Sequence, residues 1–94
     1  MQNEFQKAID LALENGATSG MRSLERALNS AGYDADVINP NTTEAHIMLA
    51  RGRVLALDDD GAFWARDADG FGCVDDYRLD DAEDAAAWSL REAL

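Results

Sequence analysis

The sequence predicts an α+β domain with an N-terminal helical hairpin, a three- to four-stranded antiparallel sheet and a C-terminal helix, in the order ααβββ(β)α. Three observations predict it. Apolar residues recur at helical spacing through the first third of the chain. Short apolar runs broken by Gly- and Asp-rich turns fill the middle. Helical spacing returns after Asp80.

The first helix is expected over about 3–15, where Phe5, Ile9, Ala12 and Leu13 form one apolar stripe and Asn15-Gly16 is a stop signal. Thr18 or Ser19 is the expected cap of the second helix. Its stripe is Met21, Leu24, Ala27, Leu28 and Ala31, and Gly32 ends it. The short link between the two makes them a helical hairpin.

Residues 33–43 read as a connector, pinned to the core by Val37 and Ile38 and turned by Asn39-Pro40-Asn41. Strands are expected over 45–50 and 53–57, joined through Arg51-Gly52. After the turn at Asp59-Asp60-Gly61, Phe63 and Trp64 mark a strand over 62–66. A second acidic turn, 67–70, leads to a possible fourth strand over 71–74, extending toward Tyr77. The last helix is expected from Asp80, with Asp80 and Glu83 at capping-box spacing and further carboxylates suited to the positive end of the helix dipole. Ala82, Ala86, Leu90 and Ala93 or Leu94 are expected to face the sheet, with Trp88 at the margin.

At 94 residues the chain is expected to form one domain, residues 1–94, and an apolar fraction of 47% suits a folded protein rather than an acidic tail. Cys73 is the only cysteine, which excludes an intramolecular disulfide and fits a reducing compartment. The first residues lack the basic and apolar regions of a signal peptide, and no apolar run approaches a membrane span. A cytoplasmic protein without membrane association is the expectation.

The acid is unevenly placed. The net charge is −11, yet the first 43 residues carry only six acids against three bases. Between Asp58 and Asp84 stand eleven carboxylates: Asp58, Asp59, Asp60, Asp67, Asp69, Asp75, Asp76, Asp80, Asp81, Glu83 and Asp84. Only Arg66 and Arg78 oppose them. Such a field repels nucleic acid and attracts basic surfaces. Direct nucleic-acid binding through the helical hairpin would rest on Arg22 and Arg26 in the second helix, too little to neutralise phosphates.

Other chemistries fit poorly. Asp58, Asp60 and Gly61 match three places of a calcium-binding loop, as do Asp67, Asp69 and Gly70. The first ligand place, however, is Ala56 or Ala65, and the twelfth residue is not glutamate. His46 and Cys73 are too isolated to frame a metal site or a nucleophile with its base. No enzyme, metal or cofactor is therefore expected. The aromatic residues Phe63, Trp64, Phe71, Tyr77 and Trp88 all lie in the acidic half. Most are needed for the core, while Trp64, Tyr77 and Arg78 are the candidates for an exposed contact patch. A solvated acidic face is the plain alternative, but adaptation to salt would spread the acid over both halves.

In its small single domain, its high negative charge and runs such as Asp58-Asp59-Asp60, Asp75-Asp76 and Asp80-Asp81, the chain resembles the small acidic anti-defence proteins of phages. These are the anti-CRISPR and DNA-mimic class, and the resemblance is one of general character centred on residues 58–84. It implies inhibition by occupation, with carboxylates standing where phosphates would in the basic groove of a nuclease or CRISPR-type surveillance complex. Asp58, Asp59, Asp60, Asp67, Asp69, Asp75, Asp76, Asp80, Asp81 and Asp84 would form the contact, with the chain a monomer or small homo-oligomer. An adaptor, antitoxin or immunity-type protein using an aromatic or helical surface is the alternative.

Overall fold

The computed structural model describes residues 2–67 and 76–91. The expected strand over 71–74, Cys73, Asp69, Asp75 and the last three residues lie outside them. The order is α1 (Gln2–Asn15), α2 (Ala17–Ser30), β1 (Ala35–Ile38), β2 (His46–Leu49), β3 (Val54–Leu57), β4 (Phe63–Arg66), β5 (Tyr77–Leu79) and α3 (Ala82–Leu90). The five strands form one antiparallel sheet in sequential order, β1-β2-β3-β4-β5. The α+β class and the meander are as the sequence predicts, with β1 as an extra strand and with β5 at 77–79, beyond the expected fourth strand over 71–74.

That extra strand, β1, occupies the segment read as a connector. Four residues are too short for alternation to stand out locally. What holds β1 is its partners. Inside, it pairs with β2 from Ala35 opposite Leu49 to Ile38 opposite His46. Outside, α2 supplies a substitute strand edge. The Asn29 amide brackets Ala35, donating to its carbonyl at 2.9 Å and accepting from its N–H at 3.1 Å. Glu25 Oε2 accepts the Val37 N–H at 2.7 Å. These contacts occupy an edge that would otherwise be open to pairing with another chain.

One face of the sheet meets the helices. Ala35, Ile47, Leu49, Leu55, Leu57, Phe63 and Ala65 are buried there against Phe5, Ala8, Ala12, Met21, Leu24 and Leu28. Phe5 and Phe63 bring their ring centroids to 5.9 Å. The expected stripes need three corrections. Leu13 is 59% exposed, and Ala8 takes the buried place beside Ala12. Ala31 is exposed, beyond the end of α2. Val37 packs against the core, but Ile38 points to the other face because neighbouring strand residues alternate.

The two long helices touch at Gly20. A Cβ there would lie 2.4 Å from the Ala8 carbonyl oxygen and 2.7 Å from Leu57 Cδ2. Only a glycine lets α2 approach α1 and the sheet this closely. The far end of α2 closes as expected at Gly32 (φ 92°), where the Tyr33 N–H donates to Leu28 O and the Gly32 N–H to Asn29 O. That pair of bonds satisfies two carbonyls of the last turn.

Two caps differ from the sequence expectation. Neither Thr18 nor Ser19 caps α2. The N-cap is Gly16, and the Ala17 N–H donates to Asp59 Oδ1 at 2.8 Å, while Thr18 Oγ1 accepts from the Asn41 N–H. The cap of α3 is Asp81 rather than Asp80, with its carboxylate accepting the Asp84 N–H at 2.9 Å. In α3, Trp88 is 5% exposed and part of the core, not its margin, beside Ala82, Ala85 and Ala86.

Candidate partner-binding face

The strand register decides which charges share an end of the molecule. Ile38 pairs with His46, Leu57 with Phe63, and Phe63 with Leu79. The loop 39–45, the turn 58–62 and the start of α3 therefore lie at one end of the sheet. The Asp59–Ala17 hydrogen bond places the α1–α2 junction there too. Glu44, Asp58, Asp59, Asp60, Asp80, Asp81, Glu83 and Asp84 are gathered at this end. Asp67 and Asp76 are carried to the opposite end, beside the Ala50–Gly52 turn. The acidic stretch of sequence is thus split by the sheet: its first and last parts meet at one end, and Asp76 shares with Asp58 and Asp59 only a groove along the sheet.

Several of these carboxylates hold the fold. Asp58 Oδ1 accepts the N–H groups of Asp60 (3.0 Å) and Ala62 (3.1 Å), and Oδ2 accepts the Trp64 indole N–H at 3.0 Å. This explains the Asp-Gly chemistry of the turn in backbone terms. Asp59 and Asp81 cap helices. Asp76 pairs with Arg66 at 2.8 Å across β4 and β5. Asp67 accepts from the Trp88 indole (3.0 Å) and from Arg91 (2.6 Å). Asp60, Asp80 and Asp84 are exposed, and their side chains make no hydrogen bond or ion pair among the described residues.

The second sheet face carries Asp36, Ile38, His46, Met48, Val54, Ala56, Trp64, Arg66 and Arg78, the residues alternate to those in the core. Among the described residues no element packs over it. Ile38 and Met48 are each 37% exposed and Trp64 36%. Trp64 and Arg78 are direct cross-strand partners, and the Arg78 side chain has no ion pair among the described residues. Tyr77 is described through its backbone, opposite Ala65. A groove of about 1000 Å³ runs from the α1–α2 junction past Thr42, Asp58 and Asp59 to Ala56 and Trp64, joining the acidic end to this face.

His46 places Nδ1 2.7 Å from the Glu44 carbonyl oxygen, which holds the ring locally. Among the described residues no group of three His, Cys, Asp or Glu is arranged to hold a metal ion. No helix there is long and apolar enough to cross a membrane.

Sequence reasoning missed three working residues. Arg53 is 6% exposed, with its guanidinium 4.1 Å from the Trp88 ring centroid, and it donates to the carbonyls of Trp88, Ser89 and Arg91 at the end of α3. A cation there also suits the negative end of the helix dipole. Its signal was an arginine at the head of an apolar strand. Glu25 and Asn29 had no signal, because their strand partner is read as a connector.

No protein-family model matches this chain, and no significant match was found among curated proteins or solved structures. The fold and its surface define a two-layer α+β protein with one acidic end and one sheet face that no element covers among the described residues.

Proposed function

We propose that this chain is a non-enzymatic binding protein that takes a basic surface of another protein onto its acidic end and the adjoining sheet face. One observation carries the reading. The register gathers Glu44, Asp58, Asp59, Asp60, Asp80, Asp81 and Asp84 at one end, next to a half-exposed Trp64 with Arg78 beside it. Carboxylates accept paired hydrogen bonds from arginine, and a field of one sign steers an oppositely charged partner. Aromatic and arginine side chains supply the slow-release contacts that charge alone does not.

Within this reading the partner is a nucleic-acid-binding protein or complex, and the effect is inhibition by occupying its basic groove, as the resemblance to anti-CRISPR and DNA-mimic proteins implies. The carboxylates of Asp60, Asp80, Glu83 and Asp84 favour it, since none has a side-chain partner among the described residues that would compete with a basic surface. A second reading, an adaptor or antitoxin-type contact centred on Trp64, Met48 and Ile38, is favoured by the apolar middle of the open face.

Affinity capture with the wild type, an Asp60→Asn/Asp80→Asn/Asp84→Asn variant and a Trp64→Ser variant tests both. A basic partner released by salt, displaced by duplex DNA and lost in the carboxylate variant supports occupation of a nucleic-acid groove. A partner held through high salt and lost only with Trp64→Ser supports the aromatic contact. Retention of the same partner by both variants overturns the proposal.

A further inference from the structure

The end opposite the acid has its own character. The Ala50–Gly52 turn, the head of β3 and the last turn of α3 enclose a cavity of about 290 Å³. Its lining includes Tyr33, Asp34, Arg51, Arg53, Ser89 and Arg91. In the whole chain acids outnumber bases nineteen to eight, yet among the described residues three arginines gather here against two carboxylates, Asp34 in the lining and Asp67 paired with Arg91.

Two of these arginines are held in place. Arg53 grips the carbonyls that end α3, and Arg91 is bound to Asp67. Arg51 differs: its side chain has no hydrogen-bond or ion-pair partner among the described residues. Ser89 adds an independent observation. It is 4% exposed, lines the cavity, and its hydroxyl has no hydrogen-bond partner among the described residues. A buried hydroxyl without a partner is disfavoured unless something fills the role. A donor hydroxyl and a guanidinium with no partner among the described residues share one cavity, beside Arg53 and the Arg91–Asp67 pair, and an acceptor of negative charge suits both.

We propose that this cavity binds a small oxyanion, a carboxylate or phosphate group, through the Arg51 guanidinium and the Ser89 hydroxyl. Arg53 contributes its charge from a fixed position, while that of Arg91 is offset by Asp67. The volume sits at the low end of the roughly 300–1,000 Å³ of ligand pockets, so the ligand is a small ion or the anionic end of a larger molecule. Guanidinium recognises both chemistries with paired N–H donors.

The test is titration of the whole chain with sodium phosphate and, separately, sodium acetate, each against sodium chloride at equal ionic strength. Amide shifts of Tyr33, Arg51 and Ser89 in NMR spectra report the site. Saturable shifts with phosphate, acetate or both, absent with chloride, are expected, and the stronger of the two identifies the ligand chemistry. Affinity should fall at least tenfold in Arg51→Gln and measurably in Ser89→Ala. Both changes leave the core packing and the α3 cap in place. Shifts that match those in chloride, or binding that persists unchanged in both variants, overturn the proposal.

Discussion

Asp59 caps α2 from a position forty-two residues further along the chain, its Oδ1 2.8 Å from the Ala17 N–H. A turn between two strands thereby closes a helix in the other layer. Gly16 at the N-cap has no side chain to do this, and the backbone N–H groups of a first helical turn need an acceptor. The same bond ties the helical hairpin to the acidic end of the sheet.

Asp59→Ala should therefore destabilise the fold by about 1 kcal/mol, the usual worth of a lost cap. Asp59→Asn keeps an acceptor oxygen and should recover most of that. Urea unfolding of the three proteins checks it. Equal stabilities would show that water replaces the carboxylate at no cost.

Gly20→Ala tests the helix contact. In an exposed helix interior this change stabilises by about 1 kcal/mol. Here the new methyl would meet the Ala8 carbonyl oxygen at 2.4 Å, and overpacking of this kind costs about 1–3 kcal/mol. A lowered midpoint in thermal unfolding is the expected outcome.

Arg53→Met should cost about 3 kcal/mol, because it keeps the apolar stem but strips the α3 carbonyls of their buried donor. Trp88 reports the change directly. Its fluorescence should shift, since the guanidinium now lies 4.1 Å from the ring centroid.

Salt should stabilise the free protein. With net charge −11 and eight carboxylates at one end, self-repulsion within roughly one Debye length is screened as ionic strength rises. The melting temperature should climb with sodium chloride. Asp60→Asn combined with Asp80→Asn should flatten that climb, since neither side chain has a folding role to lose.

Trp64→Ser separates function from stability. No element covers Trp64 among the described residues and it is 36% exposed, but its indole N–H is bonded to Asp58, so its loss should cost about 1–2 kcal/mol of folding stability. The effect on partner affinity should be much larger, because exposed aromatics beside arginine carry a disproportionate share of binding energy. Paired unfolding and binding measurements on the one variant decide it.

Much of the fold was legible because its signals are local. Gly16 and Gly32 stop the helices where stop signals predict, and Arg51-Gly52 and Asp60-Gly61 sit in the turns they mark. The shifted cap at α3 shows the limit of such reading. Asp80 and Asp81 are chemically alike, and only the backbone path out of β5 selects the second. Strand β1 was not legible, since what makes it a strand is the pairing with β2 and the side chains of Glu25 and Asn29. Of the candidate contact residues, Trp64 and Arg78 emerged as cross-strand neighbours on the sheet face turned away from the helices. Asp58, Asp59 and Asp81 proved to hold the fold as well as to charge the surface.

The amino-acid sequence by itself determined the element order, the α+β class and the excess of acid in the second half of the chain. Hydrophobic period, turn chemistry and charge are properties of neighbouring residues, and they need no partner to be read. Only the tertiary structure decided where the acid goes. Antiparallel register sends Asp58–Asp60 and Asp80–Asp84 to one end of the sheet and Asp67 and Asp76 to the other, where Arg51, Arg53, Arg66 and Arg91 lie. That division arises from pairings between residues far apart in the chain, set by the burial of one sheet face against the helices.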